Sequence, residues 1–555
     1  MDSIQLQLDA ALALLQANRI TESVQAYLKI LSVVPRQPDA LYMLGLISHK
    51  LGQSVQAIAW LEAAEKETPK AARIYALKGI ILKSLKRTEE ALPEALRAIE
   101  LDPTLPEAWD CAGYLYMDLN QWQNACRHFE RAVVLAPNNP TLRSYYALSL
   151  SQSNCLSEAY EQTVEALQLD PKSPMAMITR AEILCHAGYY DLAVPCYREA
   201  QQYPSVRQTA LFGEAYTSFI TGAFERGLEL LASTSAYHEV GLPLPDWQGQ
   251  RDEKLHLILY GEQGYGDMLH FMRYAKILRD RVGSVTMRLP YHLLRLIRQS
   301  MPDMPLMAYK DPATDVRNVT IPAGITEDLP QGINRRSSYT ALPHCMGAPF
   351  DPRVADIPYL HADSELRKAW RERLAKIPAP KIGFAWAGSP RHLNDSNRSI
   401  PLITLAPLIA LAKPHLVSLQ FGFERKIGLA AGLYDATPYL SDFADSAALL
   451  AELDLLITAD SAPAHLAGAM GLPVWIMIPF NPDWRWLLGR EDTIWYKTVK
   501  LYRQLKPHDW TNVVQSICND VERFFDNDVS VLKPTSWQGK ILQRHPQAVA
   551  LKGVK

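Results

Sequence analysis

Residues 69–103 read PKAARIYALKGIILKSLKRTEEALPEALRAIELDP, and the same frame returns on both sides of them. Pro35, Pro69, Pro103, Pro137 and Pro171 recur every 34 residues. In that frame small residues fall at Ala57, Ala91, Ala125, Ala159 and Ala193, and again at Ala64, Ala98, Ala132, Ala166 and Ala200. Gly45, Gly79 and Gly113 fill a third small position, Tyr75 and Trp109 a bulky one, and Tyr27, Phe129 and Tyr197 a second bulky one. Small residues let two helices approach closely, and large ones fill the space beside them, so each unit reads as a helical hairpin. One hairpin cannot bury its own apolar face. Neighbours must stack, and stacking builds a curved superhelix with a long concave surface.

These position-locked series resemble the tetratricopeptide repeat over roughly residues 4–205. The resemblance implies an α-solenoid whose concave groove binds protein. Tyr42, Leu46, Ile80, Tyr114 and Met117 are the residues expected to face that groove, the alternative being that they pack between helices. Residues 208–236 continue a helical pattern without the closing proline and suit a capping unit, which puts the solenoid at 1–236. Gly241–Arg251, with Pro243 and Pro245, reads as linker, assigned over 237–253.

A chain of 555 residues is too long for one core, so further domains are expected. A hydrophobic fraction of 48%, a charged fraction of 21% and a net charge of -2 exclude a disordered chain and leave no basic footprint for nucleic acid. Met1–Gln16 carries Asp2 and Asp9 but no cationic leader, and no apolar run is long enough to span a bilayer, so a cytoplasmic protein is expected. The seven cysteines are odd in number and lack a C-x-x-C pair, which suits a reducing compartment and no structural zinc.

From Lys254 the periodicity changes to short apolar runs alternating with amphipathic helices, the pattern of parallel βαβ units. Strands are expected at Leu255–Tyr260, Val285–Leu289 and Leu306–Tyr309, then at Ile382–Ala387, Leu416–Leu419, Leu455–Thr458 and Val474–Ile478. The two blocks imply α/β domains at 254–360 and 361–527, divided near Asp351–Pro358, with ligands at the carboxyl ends of the strands. A last helix is expected at Thr511–Phe525 and a mobile tail over 528–555.

Three strand-to-helix loops carry the chemistry. Gly261-Glu-Gln-Gly264-Tyr-Gly266-Asp267 follows the first strand; Gly264 and Gly266 permit a tight turn and close approach of a substrate, and Asp267 is either a reactive group or an electrostatic cap of the helix. The spacing is not G-x-G-x-x-G, so no dinucleotide cofactor is indicated. In the second loop Asp460 ends a strand, Ser461 stands ready to cap the next helix, and His465 lies one turn in. Such a helix start suits a phosphate, whereas an isolated helical His is often only a packing residue. In the third, Gly388, Ser389, Arg391, Arg398 and Ser399 follow a strand, cationic enough for an anionic leaving group, or simply a solvated loop. Gln420 and Asp442 lie near strand ends, within reach of a base or ribose. Trp484, Arg485, Arg490 and Trp495 shape the donor pocket or pack the core.

Residues 254–525 resemble the heptosyltransferase-like glycosyltransferases, which have the GT-B fold of two Rossmann-like domains. The resemblance implies an inverting, metal-independent transferase with no cofactor beyond its nucleotide-sugar substrate. Gly266-Asp267 matches the family's base, and Asp460-Ser-Ala-Pro-Ala-His465 is similar to its Asp-Thr-Gly-x-x-His phosphate segment, with Ser461 for Thr and Ala462 for Gly. Repeats joined to this half, with Trp386-Ala-Gly and Pro482-Asp-Trp-Arg-Trp, look like bacterial flagellin-modifying glycosyltransferases. That implies flagellin as the protein partner and a CMP-linked nonulosonic acid as donor. O-linked N-acetylglucosamine transferases also join such repeats to a GT-B half, but their groove carries an asparagine ladder where this chain has Met43, Leu77, Cys111 and Tyr145. Heptose transfer and a non-catalytic scaffold are the other readings.

Overall fold

The computed structural model describes residues 2–234, 242–261, 264–310, 322, 324–347, 357–390, 392, 394–536 and 539–554. The chain divides into two compact units, residues 1–186 with 550–555, and residues 187–549.

In the first unit paired helices follow the 34-residue frame: Pro38–Lys50 with Ser54–Glu67, Ala72–Ser84 with Thr88–Leu101, Pro106–Asp118 with Trp122–Leu135, and Pro140–Gln152 with Leu156–Leu169. All five periodic prolines lie in the turns that join one pair to the next. Those turns are closed from the following helix: Tyr75 Oη donates to the Pro69 carbonyl at 2.9 Å and Trp109 Nε1 to the Pro103 carbonyl at 3.0 Å. The bulky aromatic therefore has a polar reason as well as a packing one. Ala57, Ala91, Ala125 and Ala159 are fully buried, as are Ala64, Ala98, Ala132 and Ala166. A Cβ on Gly113 would stand 3.0 Å from the Phe129 ring. Gly113→Val should therefore overpack this layer and destabilise the first unit by about 1–3 kcal/mol, read as an earlier melt of the helical circular-dichroism signal.

Tyr42, Leu46, Ile80, Tyr114 and Met117 are all partly exposed. Tyr42 and Leu46 also pack on the cluster of Leu41, Ala57 and Leu61. Cations lie over the aromatics: the Arg73 guanidinium is 4.7 Å from the Tyr42 ring centre and the Lys83 ammonium 4.3 Å from that of Tyr114.

The second unit holds two parallel sheets. One comprises β1 (Asp252–Tyr260), β2 (Val282–Pro290), β3 (Leu306–Tyr309) and β4 (Arg335–Ser338) in the order β3-β2-β1-β4. The other comprises β5 (Ile382–Ala385), β6 (Leu416–Ser418), β7 (Tyr434–Asp435), β8 (Leu455–Ala459), β9 (Val474–Ile478) and β10 (Val499–Arg503) in the order β10-β9-β8-β5-β6-β7. In this second sheet the order reverses at β5, between β6 and β8, the kind of switch point where open α/β sheets take ligands. The expected helix is present as Thr511–Phe525, and its Val513, Ile517 and Val521 join Ile382, Phe384, Ile457 and Trp475 in one core.

Three strands lie outside the sequence expectation. β4 reads Arg-Arg-Ser-Ser and shows no apolar run, yet Arg336 is buried because Asp246 accepts from its Nε at 2.8 Å and the Leu242 carbonyl from its Nη1 at 2.7 Å. β7 has only two residues, and β10 is an edge strand with Lys500 and Arg503 half-buried.

The domain limits also differ from the sequence reading. Helices Tyr190–Ala200, Arg207–Ile220 and Phe224–Ala232 fall in the second unit, where Phe219 packs on Trp484 (ring centres 4.8 Å apart) and Tyr190 donates to Asn481 at 2.6 Å. Residues 237–241 of the expected linker lie outside the described residues, but Leu242 and Trp247 are buried, and the Trp247 amide donates to the Arg336 carbonyl at 2.8 Å. Residues 351–356, near the expected boundary between the sheets, also lie outside them. Part of the stretch expected to be a mobile tail is packed. His545 is buried, with its amide donating to the Gly188 carbonyl at 2.8 Å and its ring 4.0 Å from Phe480, and Arg544 pairs with Asp191 at 2.8 Å. A Cβ on Gly188 would lie 2.5 Å from that of His545. Single side chains seated in glycine notches leave no periodic apolar trace to read in the sequence.

Candidate functional site

β1 ends at Tyr260 and the chain turns into helix Tyr265–Phe271, with Gly264 at its N-cap. Two of the loop glycines have steric causes: a Cβ on Gly261 would lie 2.4 Å from Met268 Sδ, and one on Gly266 would lie 3.0 Å from His465 Cδ2. Gly264 has an ordinary backbone conformation, and a Cβ there would meet only Asp267 Oδ2 at 3.7 Å. Asp267 stands in the first turn, where its amide donates to the Gly264 carbonyl at 3.1 Å and its carboxylate lies beside the helix start. It is also an ion-pair partner: Arg485 Nη2 donates to its Oδ1. Burial pushes its carboxyl above the usual range, and Arg485 opposes that rise.

β8 delivers Asp460, and Ser461 opens helix Ala462–Ala469. Ser461 occupies the N-cap position but does not cap: its hydroxyl donates to the Ala459 carbonyl at 3.3 Å instead. Asp460 is raised above the carboxylate range by burial and by neighbouring Asp483, against Arg398. Its main-chain carbonyl accepts from Arg398 Nη1 at 3.1 Å. His465 is buried, stacked on Trp486 with ring centres 5.3 Å apart, and its Nδ1 is 3.1 Å from the Tyr496 hydroxyl. The same hydroxyl is 3.1 Å from Nδ1 of His270.

Burial, with Arg485 nearby, holds His465 down to about 3, so its imidazole is neutral at pH 7. Its folded value is below the unfolded one, so the stability it contributes is complete above about pH 6.5 and falls on acidification. By pH 5 the loss is about 2 kcal/mol. His465→Asn should therefore flatten the decline in melting temperature between pH 7 and pH 5, and an undiminished decline would refute the assignment.

β5 leads into the third loop. Gly388 donates its N–H to Ser399 Oγ at 2.9 Å, and a Cβ there would lie 2.5 Å from Arg398 Nη2, so glycine is what lets Arg398 cross the loop. Arg398 is further held by Asp395 at 3.2 Å. Ser389 is exposed, and Arg391 lies outside the described residues. Gln420 is buried and committed to the backbone: its Oε1 accepts from the Trp386 and Ala387 amides at 3.0 and 2.9 Å, and its Nε2 donates to the Ala387 and Phe421 carbonyls at 3.2 Å each. Asp442 caps helix Phe443–Leu450 through the Ala444 amide at 2.8 Å and pairs with Arg295 at 2.9 Å. Both side chains thus have structural partners at the strand and helix ends where the sequence places them.

Asp267, Gly266, Asp460, Ser461, His465 and Arg398 thus converge. The sequence reading missed Asp483, Tyr216 and His270. Asp483 accepts from Arg485 Nη1 at 2.9 Å and from the Tyr216 hydroxyl at 3.0 Å. Burial works against its charge, but Arg485 outweighs burial and holds it below the carboxylate range. Pro482-Asp-Trp-Arg-Trp was a visible signal for Asp483 and Arg485; Tyr216, 267 positions away from Asp483, gave none. Among the described residues no group of three or more His, Cys, Asp and Glu is placed to hold a metal ion, and no helix is long and apolar enough to cross a membrane.

Residues 8–72, 72–105 and 106–139 each match the tetratricopeptide repeat. Protein FlbA of Caulobacter vibrioides is 22% identical over 517 residues, which cover 89% of this chain and 80% of that protein. Human tetratricopeptide repeat protein 13 is 27% identical over 26% of this chain, which spans 16% of its length. Among solved structures, a tetratricopeptide repeat protein from Parabacteroides merdae is 15% identical, with 43% of this chain and 95% of that one covered and a TM-score of 0.36. The MamA crystal structure is 20% identical and covers 29% of this chain, with a TM-score of 0.27. The chain therefore carries tetratricopeptide repeats, a scaffold for binding protein, ahead of a region of parallel sheets.

Proposed function

We propose that the second unit is a GT-B glycosyltransferase that moves a sugar from a nucleotide donor to a hydroxyl of a protein recruited by the repeats. The observation that carries this reading is the meeting of two helix starts: Gly266, next to Asp267 in the helix after β1, lies against His465 in the helix after β8, where a Cβ would stand 3.0 Å from the His465 ring. Asp267 accepts the proton of the acceptor hydroxyl, whose oxygen attacks the anomeric carbon from the side opposite the nucleotide. Negative charge then develops on the leaving phosphate. The first-turn amides of helix Ala462–Ala469, which the Ser461 hydroxyl leaves uncapped, suit that charge, and Arg398 and Arg485 stand beside them. Neutral His465 adds polarity without a competing cation.

The protein acceptor fits the half-buried aromatic and cationic face around Tyr42, Arg73, Lys83 and Tyr114. The similarity to protein FlbA across both parts of the chain supports treating repeats and sheets as one working protein. Flagellin as acceptor, a CMP-linked nonulosonic acid as donor and a cytoplasmic site of action follow from the resemblance to flagellin-modifying enzymes. A thermal-shift panel with CMP, UDP, GDP and ADP tests the donor side. A nucleotide present at about 100 times its Kd adds about 2.7 kcal/mol to the unit that binds it, so one of the four should raise the melting temperature by several degrees. No shift with any of them would refute the proposal.

A further inference from the structure

Arg485 is held by two carboxylates without being saturated by them. Nη2 pairs with Asp267, Nη1 donates to Asp483, and Nε is buried with no hydrogen-bond partner among the described residues. The two carboxylates are not equivalent. Asp483 is fixed from behind by the Arg485 amide at 3.0 Å and the Tyr216 hydroxyl at 3.0 Å, beside a Trp484 ring lying 4.4 Å from the guanidinium carbon. Among the described residues the Asp267 carboxylate has Arg485 as its ion-pair partner, and its side chain is 22% exposed against 5% for Arg485. The pair can therefore open on the Asp267 side while Asp483 keeps the arginine anchored.

Resting on the glycosyltransferase reading, we propose that Arg485 is an exchangeable clamp: it occupies Asp267 in the nucleotide-free protein and transfers to the nucleotide phosphate, releasing the base only when a donor is in place. A guanidinium fork fits a carboxylate and a phosphate with the same geometry, so the two compete for it. A carboxylate paired with arginine is a poor proton acceptor; the same carboxylate, half-buried and unpaired, is a better one. The charged and titratable groups acting on Asp267 are Arg485 and Asp483 from the turn after β9 and His392 from the loop after β5, and His465 lies against the neighbouring Gly266. Of these, Arg485 is the cation in hydrogen-bond contact. Donor binding thus precedes activation of the acceptor.

CMP binding, measured by calorimetry on the full chain, tests this. Asp267→Asn removes the competitor for Arg485, so it should bind CMP about tenfold more tightly than the wild type. In an Arg485→Met background the same substitution should change the affinity less than about twofold. Equal or weaker CMP binding by Asp267→Asn overturns the clamp. So does an equal gain in both backgrounds, which would reflect only the loss of a negative charge. Should Arg485→Met fail to fold, titrations at pH 7 in buffers of different ionisation enthalpy decide instead. The wild type should take up more protons on binding CMP than Asp267→Asn does, because the freed carboxyl rises; identical proton counts overturn the clamp. Nucleotide binding without these Asp267 effects leaves the transferase reading standing, whereas binding of none of CMP, UDP, GDP and ADP overturns both.

Discussion

Asp267→Asn lowers sugar transfer by about 10²–10⁴-fold, the contribution of a positioned general base, while nucleotide binding is retained. The substitution is isosteric and keeps an oxygen to accept from Arg485. What it removes is the capacity to take up a proton. The stability change is smaller than that of removing Arg485, because the arginine keeps its pair with Asp483 and the helix start loses only the contribution of a first-turn carboxylate, about 0.3–1 kcal/mol. Initial rates with purified protein, set beside melting curves of both forms, separate the two effects. Turnover within a few fold of wild type would strip Asp267 of its role.

Arg485→Met is expected to act on rate and stability together. On the transferase reading it removes a donor to the leaving phosphate, a loss of about 10²–10³-fold in kcat. It also leaves Asp483 with the Tyr216 hydroxyl and a single amide. Breaking a buried pair from one side costs about 3–5 kcal/mol, so the second unit should melt several degrees earlier while the repeats melt as before. Arg485→Lys returns the charge but not the fork: it should recover most of the stability and only part of the rate. A lysine variant as fast as the wild type would show that charge alone suffices.

The repeats were legible because a solenoid writes its packing rules at a fixed period, so five prolines and two series of alanines repeat one constraint. β1, β2, β3, β5, β6, β8 and β9 were legible because strands buried on both faces read as apolar runs. β4 was not, since Arg336 and its serines are buried through specific polar partners rather than through hydrophobicity. Of the site, the three strand-to-helix loops carried local signals: glycines beside an acid, and a proline in a first turn. The readings at Gln420 and Asp442 came from position alone. Both side chains do lie at strand or helix ends, but their hydrogen bonds are taken by backbone and by Arg295. Tyr216 and the seating of His545 on Gly188 were invisible because each depends on a contact across hundreds of residues.

The most direct measurement is the intact mass of flagellin co-expressed with this chain and with its Asp267→Asn form in cells that make CMP-linked nonulosonic acids. The wild-type chain should add whole sugar residues to flagellin, and the variant should leave the polypeptide mass unchanged. An unmodified flagellin beside the wild-type chain, or equal modification by both forms, would contradict transfer through this site.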